Sequence, residues 1–269
     1  MRILSGTGRA SYEYLVFYLA LLYFGASGLL YTVVSTLLYP LLPRHAGMQL
    51  GRRIIGYLFR GYLGMLRASG ILKLDIGALD ALRDERSLIV APNHPSLLDA
   101  VLVISRLPDI ACIMKAEIWD SWVLGGGARL AGYIRNDSPS SMVRRATEEL
   151  RDGHRLLVFP EGTRTQAGSV NAFKGGFALI AKNSGAVVQT VFIETNCRFL
   201  AKGWPILKKP PMPLSYRARL GRRFRVEGDV KVFLRELEHY YRRELSAGPG
   251  SATSPVETPS ASAGATTAH

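Results

Sequence analysis

From Tyr14 to Pro43 the chain carries no charged residue: YLVFYLALLYFGASGLLYTVVSTLLYPLLP. A run of that length exceeds the ~20 residues with which a helix crosses the hydrocarbon core of a bilayer. The chain must therefore place it in lipid or bury it. The run is too long for the apolar part of a secretory signal, and no small-residue cleavage site follows it in a polar setting. Tyrosines at 12, 14, 18, 23, 31 and 39 include pairs at both ends, where interfacial rings are favoured. Gly25 and Gly28 near the middle leave a straight helix and a bent or re-entrant hairpin both open. Arg2 and Arg9 precede the segment, whereas Arg44, Arg52, Arg53, Arg60 and Arg67 follow it. The heavier basic side faces the cytoplasm, so the rest of the chain is expected at the cytoplasmic face of a bacterial inner membrane.

Residues 47–68, GMQLGRRIIGYLFRGYLGMLRA, read as a second helix in which apolar residues alternate with arginines at helical rhythm. A basic amphipathic helix suits the headgroup layer, and the same pattern suits a core-packing helix. Residues 1–68 are thus expected to form the anchoring helices. From residue 70 onward strand-like and helix-like segments alternate. SLIVA (87–91), IACIMK (110–115), GYIR (132–135), RLLVFP (155–160) and AVVQTVFIE (186–194) are apolar runs suited to buried strands. Between them, 96–106, 117–130, 139–152 and 171–184 are suited to helices, and SPSSMVRRATEELRDG carries helix boundary signals at both ends. The expected fold is α/β, a mostly parallel central sheet flanked by helices over residues 69–246, with the N-terminal membrane-associated helical segment before it. Residues 247–269, almost all Ala, Gly, Pro, Ser and Thr, cannot bury enough apolar area to offset chain entropy and are expected to be disordered.

The 269 residues carry a formal charge of +13, which calls for an anionic partner: nucleic acid, an anionic membrane or a phosphorylated substrate. Nine Lys or Arg and no acid lie between Arg198 and Arg225. This stretch reads as a solvated basic face or as a surface for headgroups or an acidic acyl carrier. No nucleic-acid module or aromatic stacking pattern accompanies the charge, which argues against nucleic acid. Cys112 and Cys197 lie far apart, without metal-ligand spacing, in apolar runs, and read as small buried hydrophobes.

Two stretches carry chemistry. In APNHPSLLDA (91–100) an apolar strand runs into His94, and Asp99 follows five residues later. With a helix starting just past Pro95, Ser96 caps it and Asp99 falls about one turn in. The aspartate can then accept the Nδ1–H of the imidazole, fix its tautomer and leave Nε2 free as a base. Alone, such spacing more often marks a surface histidine beside a helix-dipole aspartate. In RLLVFPEGTRT (155–165) a second strand runs into Glu161, Gly162, Thr163 and Arg164. Gly162 allows close backbone approach, Thr163 offers a hydroxyl and Arg164 can hold a phosphate bidentately. Lys174 opens a helix whose amino end favours anions. Both loops sit where ligands bind in open α/β sheets.

Asn93-His94-Pro95-Ser96-Leu97-Leu98-Asp99 resembles the N-H-x-S-x-x-D block of the glycerolipid acyltransferase superfamily, lysophosphatidic acid acyltransferases included. Phe159-Pro160-Glu161-Gly162-Thr163-Arg164 is similar residue for residue to that family's F-P-E-G-T-R block, and the separation also fits. The resemblance covers roughly 70–215. It implies His94 as general base on an acceptor hydroxyl and Asp99 as its orienting partner. It further implies Glu161, Gly162, Thr163 and Arg164 along the acceptor site, with Arg164 on a phosphate. Acyl-CoA or acyl-carrier protein is implied as the thioester donor, a lysophospholipid as acceptor, and no metal or other cofactor. Backbone N–H groups near the histidine loop are expected to hold the oxyanion of the tetrahedral intermediate.

Two family blocks match less well. Where the G-x-I-F-I-D-R block ends in arginine, this chain has Ser138, and Arg135 stands three positions earlier. Arg135 reaches the same phosphate only if it lies in a loop, because on a strand that offset reverses the face. The fourth block lacks its usual proline; AVVQTVFI (186–193) has Gln189 and Thr190 instead. Both departures bear on the acceptor, for which a lyso-aminolipid or specialised lipid is the alternative. A reading of another class is a catalytically silent membrane tether with an anionic partner, which the intact His–Asp pair disfavours.

Overall fold

A computed structural model describes residues 6–166 and 169–247. The Ala/Ser/Thr/Pro-rich tail expected to be disordered lies outside the described residues from 248 on. The uncharged run forms one unbroken helix, α1 (Gly6–Leu38), so Gly25 and Gly28 do not turn it into a hairpin. Nor does α1 stand apart from the rest of the chain. Phe17, Ala20, Tyr31 and Ser35 on one side are buried. Tyr12 donates its hydroxyl hydrogen to Ser69 O at 2.9 Å and Tyr31 to Gly51 O at 3.0 Å. The other side exposes Leu15, Leu19, Leu22, Leu30, Val33 and Leu37. The helix is apolar all round, with one face packed on the protein and the other exposed.

A second helix, α2 (Arg44–Ala68), follows and packs inward through glycines. A methyl group on Gly51 would lie 2.7 Å from Ala131 N, and one on Gly56 2.5 Å from Pro108 Cβ. Its Arg52 is buried, donating to Ala131 O at 2.9 Å and pairing with Glu149 at 2.8 Å. Arg53 and Tyr57 point outward. The amphipathic pattern thus has a core-packing face as well as a basic one.

Seven strands form the sheet: β1 (Leu72–Asp75), β2 (Leu88–Pro92), β3 (Ala111–Lys115), β4 (Ile134–Asn136), β5 (Leu156–Leu157), β6 (Val187–Thr195) and β7 (Leu214–Phe224). Their order is β1-β7-β6-β2-β5-β3-β4. All pairs are parallel except β6 with β7, so the expected mostly parallel α/β sheet is present. Sequence reading missed β1 and β7. The helices are α3 (Leu98–Arg106), α4 (Ala116–Trp119), α5 (Gly125–Leu130), α6 (Pro139–Arg151), α7 (Gly175–Ser184) and α8 (Val230–Ser246). One apolar cluster joins α1, α2 and α3 to one face of the sheet. The other joins α6, α7 and α8 to the opposite face.

The single helix expected over 117–130 is two short ones, α4 and α5. The physical reason is the seat of α1. A methyl group on Gly126 would lie 2.6 Å from Thr32 O, and one on Gly127 2.3 Å from the Tyr31 ring. Gly126 and Gly127 therefore admit α1 closely, and Gly125 admits Trp119 O of α4, at some cost in helix propensity. Gly127→Leu should force the two apart at a cost of about 1–3 kcal/mol. The expected fall in Tm is about 5 °C for a chain of this size. Gly25→Ala, where no atom lies within 4 Å of the added methyl, should leave Tm unchanged or slightly raised. Thermal unfolding of the two variants checks both outcomes.

Candidate active site

The carboxyl ends of β2 and β5 lie side by side, since Ile89 pairs with Leu156 and Val90 with Leu157. Pairing continues past β5 where Val158 N–H donates to Val90 O at 3.0 Å. On the other side Asn93 extends the β2–β6 ladder with its side chain. Its Nδ2 donates to Ile193 O at 3.0 Å, and its Oδ1 accepts from Ile193 N–H at 2.7 Å. The loops after β2 and β5 therefore leave the sheet from a fixed base, next to each other.

In the first loop, His94 Nδ1 lies 2.9 Å from Asp99 Oδ2. Asp99 sits in the first turn of α3, where an acidic side chain is favoured, and is fully buried. Its Oδ2 also accepts the Ser96 N–H at 2.7 Å. Burial pushes the Asp99 carboxyl above the usual carboxylate range, against the pull of the His94 hydrogen bond. With the carboxylate accepting, Nδ1 carries the hydrogen and Nε2 is left with its lone pair. The imidazole lies flat on the Phe159 ring, centroids 3.8 Å apart and planes 17° from parallel. With 12% of its side chain exposed, it is held at its edge by a carboxylate and on its face by an aromatic ring, yet is reachable.

Glu161 joins the two loops. It is fully buried, and its oxygens accept the His94 N–H at 3.0 Å, the Thr165 hydroxyl at 2.8 and 2.9 Å, and the Asn171 N–H at 2.7 Å. Thr165 N–H in turn donates to His94 O at 2.8 Å. The carboxylate that sequence placed along the acceptor site instead lies beneath it, bonded to the loops that form it. The histidine loop also differs from expectation as a source of oxyanion donors. Its N–H groups are engaged: His94 to Glu161, Ser96 to Asp99, Leu97 to Leu200 O and Leu98 to Ser96 Oγ, while Pro95 has none. Those bonds hold the loop rigid and leave residues 94–98 no free N–H to offer.

Arg164 comes to the same place. Its Nη1 donates to Leu200 O at 2.7 Å and Ala201 O at 3.2 Å, so it shares an acceptor with Leu97 N–H beside the histidine. Gly162 has φ +67°, a left-handed conformation, and the Lys174 side chain packs 3.0 Å from where a methyl group would stand. Lys174 is brought to the loop in this way, with its N–H donating to Pro160 O at 2.8 Å. Thr163 is half-buried beside them. The contacts of Phe159, Thr165, Asn171 and Asn93 were not anticipated, although Asn93 and Phe159 stand inside the two motifs.

Residues 73–194 match the family model described as Acyltransferase. Over 107 residues the chain is 38% identical to a lyso-ornithine lipid O-acyltransferase of Pseudomonas aeruginosa, a stretch covering 38% of this chain and 41% of that protein. These matches support the glycerolipid acyltransferase superfamily for residues 73–194. It is also 30% identical over 131 residues to a chloroplastic 1-acyl-sn-glycerol-3-phosphate acyltransferase of Arabidopsis thaliana, covering 46% of this chain and 37% of that one. The chain thus spans about two-fifths of the length of these two relatives. In fold it is similar to the crystal structure of the 1-acyl-sn-glycerophosphate acyltransferase PlsC of Thermotoga maritima. The TM-score is 0.62 at 21% identity, covering 87% of this chain and 94% of that one.

Against that family pattern, Arg135 stays apart. It lies on β4, three strands from β2 and so about 14 Å across the sheet. Its guanidinium pairs with Asp120 at 2.6 Å and with Asp137, and lies 5.9 Å from the Trp119 ring. The structure does not bring it to Arg164. Lys115, which sequence reading passed over, ends β3 at the same edge as His94 and is exposed.

Because burial raises the Asp99 carboxyl in the fold, its ionised form costs stability, and that cost appears as pH rises past about 4, where the unfolded chain loses the proton first. Asp99→Asn removes the cost. The stability of Asp99→Asn relative to the native chain should therefore be greater at pH 7 than at pH 4. Paired thermal melts at the two pH values check this; a difference that shrinks with rising pH contradicts it.

Proposed function

We propose that the chain is an O-acyltransferase moving a fatty acyl group from a thioester donor, acyl-CoA or acyl-carrier protein, to the hydroxyl of a membrane-held lyso-lipid. The observation that carries this reading is the 2.9 Å contact of His94 Nδ1 with the buried Asp99 carboxylate at the carboxyl edge of the sheet. His94 Nε2 takes the hydroxyl proton as the acceptor oxygen attacks the thioester carbonyl carbon. The tetrahedral intermediate then expels the thiolate, which takes that proton from the imidazolium, leaving an ester and a free thiol. Asp99 stabilises the imidazolium and keeps Nε2 aimed outward, while the Phe159 ring bars rotation. Gly162, Thr163, Arg164 and Lys174 form the acceptor side, with the Arg164 guanidinium on the headgroup anion. A small apolar pocket between α1, α2 and α5, lined by Phe24, Tyr31, Ile55, Phe59 and Tyr62 among others, has the chemistry to meet part of an acyl chain.

The exposed apolar side of α1 supports a site on the membrane. Because the opposite side is packed against the chain from Tyr12 to Ser35, we place α1 in one leaflet rather than across the bilayer. The arginines that follow it suit the anionic headgroups of a cytoplasmic leaflet.

A lysophospholipid such as lysophosphatidic acid is the first acceptor reading. A lyso-aminolipid is the second, favoured by the retention of Arg135 in its pairs with Asp120 and Asp137, which leaves the acceptor side one arginine short of the family pattern. Turnover of lysophosphatidic acid and lyso-ornithine lipid with both donors, products identified by mass spectrometry, decides between them. His94→Ala should lower kcat by about 10³-fold, within the range for a lost general base, with Tm and vesicle association at native levels. Arg164→Ala should raise the KM of a phosphate-bearing acceptor more than that of the donor. Retained turnover in His94→Ala overturns the mechanism, and an unchanged acceptor KM overturns the headgroup assignment.

A further inference from the structure

The connection between β6 and β7 carries a feature that acyl transfer does not use. Residues 201–209 read Ala-Lys-Gly-Trp-Pro-Ile-Leu-Lys-Lys. Ile206 and Leu207 are 61% and 66% exposed, an apolar pair at the tip of a loop, flanked by Lys202, Lys208 and Lys209. The loop is braced. Trp204 N–H donates to Ala201 O at 3.0 Å, its indole Nε1–H donates to Lys208 O at 2.9 Å, and Lys208 N–H donates to Pro205 O at 2.9 Å. The Trp204 ring packs on Phe199, and Phe199 packs on Phe17 of α1, centroids 5.8 and 6.0 Å apart. A braced loop that holds two aliphatic side chains in water forgoes the stabilisation their burial would give.

The loop adjoins the exposed side of α1. Tyr18 donates its hydroxyl hydrogen to Leu207 O at 3.4 Å, Lys209 pairs with Glu13 at 2.9 Å, and its ammonium lies 5.0 Å over the Tyr14 ring. Tyr14 and Tyr18, which meet the loop, are exposed, as are Leu15, Leu19 and Leu22 along the same stretch of α1. Ile206 and Leu207 add to that apolar surface beside Lys202 and Lys208. That is the pattern of a surface seated in anionic lipid, with aliphatics in the acyl region and ammonium groups at the headgroups. At its other end the loop is bonded to the histidine loop and to Arg164. Ser96 Oγ–H donates to Phe199 O at 2.6 Å, Leu97 N–H to Leu200 O at 3.3 Å, and Arg164 Nη1–H to Leu200 O and Ala201 O.

We propose that residues 201–209 form a second lipid-contacting element, an apolar finger that seats in an anionic bilayer beside α1 and sets the height of His94 above the lipid surface. The seating stands on the exposed apolar and basic residues alone; the setting of height rests on the acyl-transfer reading above. Leu207→Cys in a Cys197→Ser background, with Cys112 buried, takes an environment-sensitive fluorophore at the tip. Added vesicles of equal parts phosphatidylglycerol and phosphatidylcholine should shift its emission to the blue and raise its intensity. The same label on Leu22→Cys of α1 should respond alike, and on Glu236→Cys of α8 should not. In parallel, the double variant Ile206→Glu/Leu207→Glu should lose turnover of a bilayer-embedded acceptor about tenfold, the loss of two seated side chains. Its turnover of a short-chain acceptor, supplied as dissolved monomer, should stay at the native level. An unchanged emission at position 207, or equal loss on both acceptors, overturns the proposal. Should the native chain turn over neither acceptor, acyl transfer is the reading that fails, and the fluorescence still decides whether the finger meets lipid.

Discussion

The arrangement rests on one buried carboxylate. Glu161 is fully buried, so its carboxylate depends on the donors that surround it, and each hydrogen bond to a charged group is worth about 1.5–3 kcal/mol. Its donors come from both sides: the His94 N–H from the loop after β2, and the Thr165 hydroxyl and Asn171 N–H from the segment after β5. Removing any one leaves part of a buried charge unpaired, the costly direction for such a group. The two loops thus form as a unit or not at all, and the imidazole inherits its position from that unit. Asp99 and Phe159 then need only fix the rotation of a ring whose backbone is already placed.

Much of this was legible in the sequence because it is local. A strand that runs into a histidine loop, with an aspartate in the first turn of the next helix, puts Nδ1 and carboxylate within local reach. The second motif made the pairing the better reading. The parallel sheet followed from apolar β-branched runs alternating with helical segments. β7 was hidden by its charge: Leu214, Tyr216 and Ala218 alternate inward, but five arginines between 217 and 225 made the stretch read as a solvated face. The alternation was the better signal, since a strand with one polar side keeps period two under any charge. The role of Glu161 was not legible, because a carboxylate lining a pocket and one buried beneath it have the same sequence. The three glycines at 125–127 looked like a poor helix for the same reason: the partner of Gly126 and Gly127, α1, lies about ninety residues away in the chain.

The apolar run shows how composition under-determines topology. Thirty uncharged residues satisfy the length requirement for a span, and they equally satisfy a helix with one side on protein and the other in hydrocarbon. What separates the two is small residues on the partner. Gly126 and Gly127 accept α1 at backbone distance, Gly28 admits Leu124, and hydroxyls of Tyr12 and Tyr31 donate to carbonyls of the chain they pack on. These contacts run almost the length of the helix. They are the support for the one-leaflet placement proposed above.

The same reasoning bears on which headgroup the site accepts. Arg164 is the basic side chain that the structure places beside the histidine loop, and one of its donors is already given to Leu200 O and Ala201 O. A phosphate dianion held without water is best met by more than one such group. Arg135 would be a second, but it lies at the far edge of the sheet, paired with Asp120 and Asp137. The second cation must therefore come from side chains already at the right edge, Lys174 across Gly162 or Lys115 at the end of β3. A lysine is a point charge on a flexible stem rather than a rigid fork. A site built on one fork and mobile ammonium groups discriminates less by the geometry of the anion and more by its charge and depth. Such a site suits an acceptor presented at a fixed height by the membrane.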